Sequence, residues 1–264
     1  VLIAQLSDPH VRPPGVLYHG VVDSNRAFAE AIQHVLALDA RPDLVLVTGD
    51  LVDEGRPDEY AMVRDILAAL PIPHLVIPGN HDDREYFRAA FSDHGYLPSR
   101  GPLHYCVDDH PVRIIGLDST VPGLHHGHVD QAGLDWLADT LAQRPDKPTV
   151  VMLHHPPLVS GIPYMDEYRY FDESSLRGVV ARFGNVEAVL CGHVHRPMVK
   201  RWAGTVLCTS PSTATQIDLQ LAATARPSSH DGPRGYLLHS WSEGDGLVSH
   251  TVQLGTFGGP YPFA

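Results

Sequence analysis

Thiols are scarce in this chain. Its three cysteines, Cys106, Cys191 and Cys208, are odd in number and scattered over 264 residues. They form neither a zinc-type pairing nor a disulfide framework, which favours a reducing compartment. Positive charge is also short: 19 Lys and Arg face 31 Asp and Glu, a formal net charge of -12. No basic run is available to follow a phosphate backbone, so no nucleic acid polymer is expected as a partner. Long apolar stretches are missing as well. Nothing approaches a membrane span and no positively charged leader precedes the first strand, so the expectation is no membrane partner and a cytoplasmic location.

What the chain does have is one design used five times: an apolar run, a sharp turn, then Asp, Asn or His. The stretch Leu44-Val-Leu-Val-Thr-Gly-Asp50 is its clearest case. Four apolar residues in a row read as a strand buried on both faces, and Gly49 permits a tight exit before Asp50. A carboxylate at a buried strand end is costly unless something cationic compensates it. The design returns as Ile3-Ala-Gln-Leu-Ser-Asp8-Pro-His10, Leu75-Val-Ile-Pro-Gly-Asn80-His81-Asp82, Val150-Val-Met-Leu-His154-His155 and Ala188-Val-Leu-Cys-Gly-His193-Val-His195. In open α/β sheets ligands bind beyond the carboxyl ends of strands, so these residues should gather at one edge.

Between the strands the pattern switches to helical period. Helices are expected from Asp23 through Leu38, near Asp58 to Leu70, over 84–92, over 130–143 and over 174–183. Residues 103–107 and 112–117 read as an antiparallel pair, and from Met198 onward strands dominate, with 224–234 a mobile Pro/Ser/Gly-rich excursion. The expected architecture is α/β: two face-to-face mixed β-sheets flanked by helices, over one domain of residues 1–264 with a β-rich part at 198–264.

Each polar block alone has a plain structural reading. Asp8 and His10 could be a turn, Asn80 and Asp82 a helix cap, His154 and His155 a buried pair. Their conjunction at the ends of alternating strands favours a shared metal site. Two carboxylates (Asp8, Asp50), four imidazoles (His10, His154, His193, His195) and the Asn80 amide make a mixed N/O donor set. Such a set suits manganese, iron, cobalt or zinc. Seven ligands exceed one first-row ion and suit two divalent ions with open positions, with Asp50 as the shared carboxylate. Two such ions against two carboxylates leave about two positive charges, a field that attracts phosphate.

The ordered blocks Asp8-Pro-His10, Gly49-Asp50, Gly79-Asn80-His81-Asp82, His154 and Gly192-His193-Val-His195 resemble the calcineurin-like metallophosphoesterases. Their spacing is similar to that of the bacterial class III cyclic-nucleotide phosphodiesterases, in particular the glycerophosphodiesterase branch. The resemblance implies a four-layer sandwich and a phosphodiesterase that attacks with a metal-bridging hydroxide. It implies one metal on Asp8, His10, Asp50 and His195, and a second on Asp50, Asn80, His154 and His193. His81 would be the catalytic non-ligand that protonates the leaving oxygen, and Asn80, His81 and His195 would contact the substrate phosphate. Expected substrates are 3',5'-cyclic nucleotides or glycerophosphodiesters, and a homo-oligomer is the expected assembly. Two departures stand out. Asp53 occupies the position that is tyrosine in the purple acid phosphatases, so a ferric-tyrosinate site is not expected. Thr213, Thr215 and Gln216 stand where the glycerophosphodiesterase branch can carry a histidine, which moves the reading toward cyclic nucleotides or a promiscuous diesterase.

Other readings are a phosphomonoesterase on the same site or, in another class, a non-catalytic scaffold, although a scaffold would be expected to have lost ligands. Four features lie outside the ligand set. His125, His126 and His128 read as solvated surface. Asp118 reads as a hydrogen-bonding partner behind the ligands. Tyr164, Met165, Tyr168, Tyr170 and Phe171 could wall a pocket or pack a loop, and the uncharged tail at 257–264 reads as an oligomer contact.

Overall fold

A computed structural model describes residues 1–259, 261 and 262. The end of the tail expected at an oligomer contact lies outside the described residues. Two mixed sheets face each other. The first has β1 (Leu2–Leu6), β2 (Leu44–Thr48) and β3 (His74–Ile77) in parallel, then β12 (Gly235–Ser242) and β13 (Gly246–Gln253) antiparallel, in the order β13-β12-β1-β2-β3. The second runs β4-β5-β6-β7-β9-β8: β4 (Tyr105–Val107), β5 (Arg113–Gly116), β6 (Thr149–Met152), β7 (Val186–Cys191), β9 (Thr205–Thr209) and β8 (Met198–Trp202).

Alternation decides which side each strand residue feeds. In β1 and β2, Ala4, Leu6, Val45 and Val47 join the core beneath α1 (Ser24–Leu36), α2 (Pro57–Leu67) and α3 (Arg84–Ala90). Ile3, Leu44 and Leu46 face the other way, onto Ile114, Val150, Met152 and Leu190 of the second sheet. Val151 and Val189 then pack outward against α4 (Gln131–Gln143) and α6 (Glu173–Val180). The layers are therefore helix, sheet, sheet, helix. Because both faces of every central strand are covered, these strands read as unbroken apolar runs.

Helix starts follow the expected chemistry. Asp23 caps α1 through the Arg26 amide, Asp130 caps α4 through the Gly133 amide, and Pro57 opens α2. At α3 the cap is Asp83, whose carboxylate accepts from the amides of Glu85 and Tyr86. Asn80 and Asp82 are thus not the cap, and the plain reading of that block falls away. Three elements were not foreseen: the short α5 (Pro163–Glu167) inside the aromatic loop, and the hairpin of β10 (Gln216–Ile217) with β11 (Ser229–His230). The hairpin takes in part of the stretch expected to be a mobile excursion.

One polar network crosses the space between the sheets. Gln5 on β1 donates to the Thr48 hydroxyl and to the Cys191 carbonyl, at 3.0 Å each, while its carbonyl oxygen lies 3.1 Å from His239 Nε2. Burial pushes His239 down to about 4, with His250 adding to the shift. A histidine whose folded pKa lies below its unfolded one stabilises fully above pH 6.5 and loses that contribution as pH falls toward 4. His239→Gln should therefore flatten the decline in unfolding free energy between pH 6.5 and 4. An unchanged slope in denaturant titrations would remove His239 as a cause.

Candidate metal centre

All seven expected ligands lie just beyond strand ends, three strands from the first sheet and two from the second. The chain leaves these strands in conformations that ordinary residues avoid. Asp8, His10, Asp50, His193 and His195 all have positive φ, between 43° and 71°. For residues with a Cβ this is strained and persists only where the surroundings enforce it. The glycines before them are forced by contact. A Cβ on Gly79 would strike the Asp50 carboxylate, one on Gly192 the Ser7 hydroxyl, and one on Gly49 the His154 ring.

The side chains converge. His10 Nε2 and His195 Nε2 stand 3.1 Å apart, and His195 Nε2 lies 3.3 Å from Asp8 Oδ1. Two imidazole nitrogens that each sit about 2.0–2.1 Å from one ion are roughly 3.0–3.4 Å from each other. His154 Nε2 is 3.2 Å from Asn80 Oδ1 and 3.3 Å from Asp50 Oδ2. The same Asp50 oxygen is 3.8 Å from His10 Nε2, so one atom faces both groups. Its other oxygen, Oδ1, accepts the His81 amide at 2.9 Å. Backbone carbonyls fix two ring orientations: His154 Nδ1 donates to Thr48 and His195 Nδ1 to Thr215, which turns each Nε2 toward the cluster. Against the pull of burial, Asp50 and Asp8 raise His154 to about 9, so its Nε2 must give up a proton before it can ligate. His193 Nε2 is buried with no hydrogen-bond partner. An orphaned buried nitrogen beside converging lone pairs is the signature of a cation site, and the donor set fits first-row divalent ions.

Electrostatics points the same way. Burial raises the Asp50 carboxyl, but His154 and His81 outweigh it and hold the group well below the usual carboxylate range. Asp8 is likewise lowered, with His195 and His154 overcoming burial. Burial lowers His10 to about 4 and His193 to about 3, so both rings are neutral and ready to ligate. His81 is half-buried, and its Nδ1 donates to the Asp53 carbonyl at 2.7 Å. Burial disfavours its charge, yet Asp50 and Asp53 raise its pKa above the ordinary value.

The pattern of the calcineurin-like phosphoesterase family matches residues 1–197. This chain belongs to that family. A probable glycerophosphodiester phosphodiesterase (GpdQ) of Arcobacter nitrofigilis is 35% identical over 264 residues, all of this chain and 97% of the relative. A 3',5'-cyclic adenosine monophosphate phosphodiesterase (CpdA) of Escherichia coli is 32% identical over 222 residues, 82% of this chain and 77% of the relative. A dimetal phosphatase from Danio rerio shares the fold, with a TM-score of 0.65 at 13% identity over 95% of each chain. The family is one of metal-dependent hydrolases, and its divalent metals match the buried Asp/His cluster found here.

Around this phosphoesterase centre the structure adds residues outside the expected ligand set. Tyr18 stacks on the His10 ring at 4.6 Å and 15°. Arg12 Nη1 pairs with Asp53 at 2.7 Å and with the buried Glu59 at 3.0 Å, behind His10 and His81. Asp82 ties the Asn80 loop down, accepting from the Gly79 amide at 2.8 Å and the Leu51 amide at 3.1 Å. His155, buried beside His154, has both ring nitrogens engaged, by the Ser119 hydroxyl and the His125 carbonyl. Asp118 hydrogen-bonds Leu103 and Thr120 and pairs with Arg84, and no expected ligand is among these partners. His125 is exposed as expected, but it lines the cavity rather than open surface. That cavity, about 440 Å³, opens onto His10, Asp50, Asn80, His81, His193 and His195.

Proposed function

We propose that this chain is a dinuclear metal-dependent phosphodiesterase acting on small diesters, cyclic nucleotides foremost. The observation that carries the reading is the position of Asp50 Oδ2, one oxygen between the His10/His195/Asp8 group and the His154/Asn80 group. Asp8, His10, Asp50 and His195 would hold one ion; Asp50, Asn80, His154 and His193 would hold the other. When bound, two such ions supply Lewis acidity toward the phosphoryl oxygen and toward water. The chain supplies the rest. Asn80 and His195 orient the phosphate. His81, with Nδ1 committed to the Asp53 carbonyl, keeps Nε2 for the proton that the leaving oxygen takes up.

A diester fits better than a monoester. No Lys or Arg is among the described residues lining the cavity. Of the about two positive charges left over after the carboxylates, the attacking hydroxide would offset one, so a monoanion is matched and a dianion is not. The cavity volume lies within the range of small-molecule sites. We read residues 1–264 as one catalytic domain, since both sheets contribute ligands. Exposed Val248, Phe257 and Tyr261 support assembly through the last strand and tail, and three free cysteines support a reducing, cytoplasmic setting. Metal content and turnover of a cyclic nucleotide, a glycerophosphodiester and an aryl monoester, run with defined metals, test the reading. Monoester turnover well above both diesters would replace it with a phosphomonoesterase.

The charge balance adds a second expected outcome. Two divalent ions offset only part of a net charge of -12. Duplex DNA should therefore be a poor ligand and substrate, poorest at low salt where repulsion is least screened. Tight DNA binding that weakens with added salt would instead indicate a nuclease.

A further inference from the structure

We propose that a wall of aromatic rings leading away from His81 makes this site selective for phosphodiesters whose leaving alcohol carries a planar ring, nucleosides above all. The inference rests on the diesterase reading and adds the specificity residues to it. The rings form a chain. His81 and His125 have centroids 5.7 Å apart, His125 and Tyr168 5.7 Å, and Tyr168 and Tyr164 5.3 Å. Each step lies within the spacing at which aromatic groups contact one another. The chain is anchored at its inner end, where Asn80 Nδ2 lies 3.3 Å from His125 Nδ1 while Asn80 Oδ1 faces His154. The distance from the phosphate position to the first wall ring is thereby set by a residue of the metal cluster.

The wall is not simply the packed side of a loop. In the same segment Tyr170 takes the packing role at 2% exposure, while Met165, 6% exposed, packs on Ile162 and Val194 and shows only its edge to the cavity. Tyr164 stays 40% exposed and, with Tyr168, lines the cavity. The faces of these rings offer a nucleobase stacking surface and offer a polyol nothing to hydrogen-bond. The direction matters as much as the chemistry. The wall starts at the residue that would protonate the leaving oxygen, so the group placed along it belongs to the departing alcohol.

The test is binding to the full chain under chelation, with 3',5'-cyclic AMP as the ring-bearing probe and glycerophosphoethanolamine as the ring-free one. Cyclic AMP should bind more tightly. Tyr168→Leu and, separately, the surface-exposed Tyr164→Ala should reduce the ratio of the two affinities, by about 5- to 100-fold for the loss of one stacking ring. Tyr168→Phe should preserve the ratio. Equal affinity of the two probes for the wild type, or a ratio that both truncations leave unchanged, overturns the proposal. Turnover of both probes by the metal-loaded wild type is measured alongside. Failure to hydrolyse either one defeats the diesterase reading, while the affinity ratio still decides the wall.

Discussion

Asp50→Ala should strip the protein of more metal than the loss of any single histidine. Metal analysis of protein purified without chelator should approach two first-row ions per wild-type chain, about one for His10→Ala or His193→Ala, and well below one for Asp50→Ala. The reason is positional. Asp50 Oδ2 lies 3.3 Å from His154 Nε2 and 3.8 Å from His10 Nε2, so its charge serves both groups of ligands. Two divalent cations side by side repel strongly in a partly dry site, and a shared carboxylate is what offsets this. Diester turnover should fall by more than the about 10²–10³-fold typical of removing one preorganised electrostatic group. Asp50→Asn separates charge from shape, because its amide oxygen can still accept the His81 backbone N–H. It too should lose metal. An Asp50→Ala protein that holds two ions as tightly as the wild type would remove Asp50 from the shared position.

The candidate centre was legible in sequence because every expected ligand follows an apolar strand, seven residues on five strands. Burial on both faces makes β2, β6 and β7 continuous apolar runs, and a polar residue directly after such a run is conspicuous. Gly49 was readable as the turn before Asp50, but that a Cβ at 49, 79 or 192 would collide with an expected ligand or its neighbour shows only in the fold. The helix caps followed from side-chain chemistry two or three residues away. Helix ends ran long by two or three residues, at Leu36 instead of Leu38 and Leu67 instead of Leu70, because local periodicity does not register where the tertiary core stops.

What sequence could not give was anything set by the approach of distant segments. The division of the ligands between two sheets comes from their facing cores and not from any local pattern. Tyr18 sits in a Pro- and Gly-rich loop, and only its return through the Tyr18↔Val22 bridge lays it on His10. His125 was read as surface because three histidines around one glycine carry no period. With no Cβ at Gly127 that loop can close onto His155, where a side chain would collide with the ring, and so reach the site. Ser228 and Ser229 line the cavity only because β10 and β11 pair, two residues each, too short to leave a pattern. Arg12, Asp53 and Glu59 form an ion cluster behind the histidines that no spacing signals.

His81→Ala should keep both metals and lose activity in proportion to the need of the leaving group for a proton. Its backbone N–H, which holds Asp50 Oδ1, survives the substitution. Its ring lies within ligand reach of His10 and Asp53 but is not part of the group of Asp8, His10, Asp50 and His195, and its Nδ1 is committed to the Asp53 carbonyl. Asp83 caps α3, so removing the His81 ring should not unravel the helix that follows. What disappears is the imidazole, held by the Asp53 carbonyl at 2.7 Å and favoured in its charged form by Asp50 and Asp53 against the pull of burial. An alkoxide from ribose or glycerol is strongly basic and cannot leave without a proton, whereas p-nitrophenolate leaves almost unaided. General acid catalysis is worth about 10²–10⁴-fold, some 3–5 kcal/mol of barrier. His81→Ala should lose that much kcat on a cyclic or alkyl diester and clearly less on a p-nitrophenyl diester. His81→Gln, which fills similar space without a transferable proton, should behave as the alanine variant does. Equal losses on both substrates would make His81 a phosphate-positioning group, and loss of bound metal would make it a ligand.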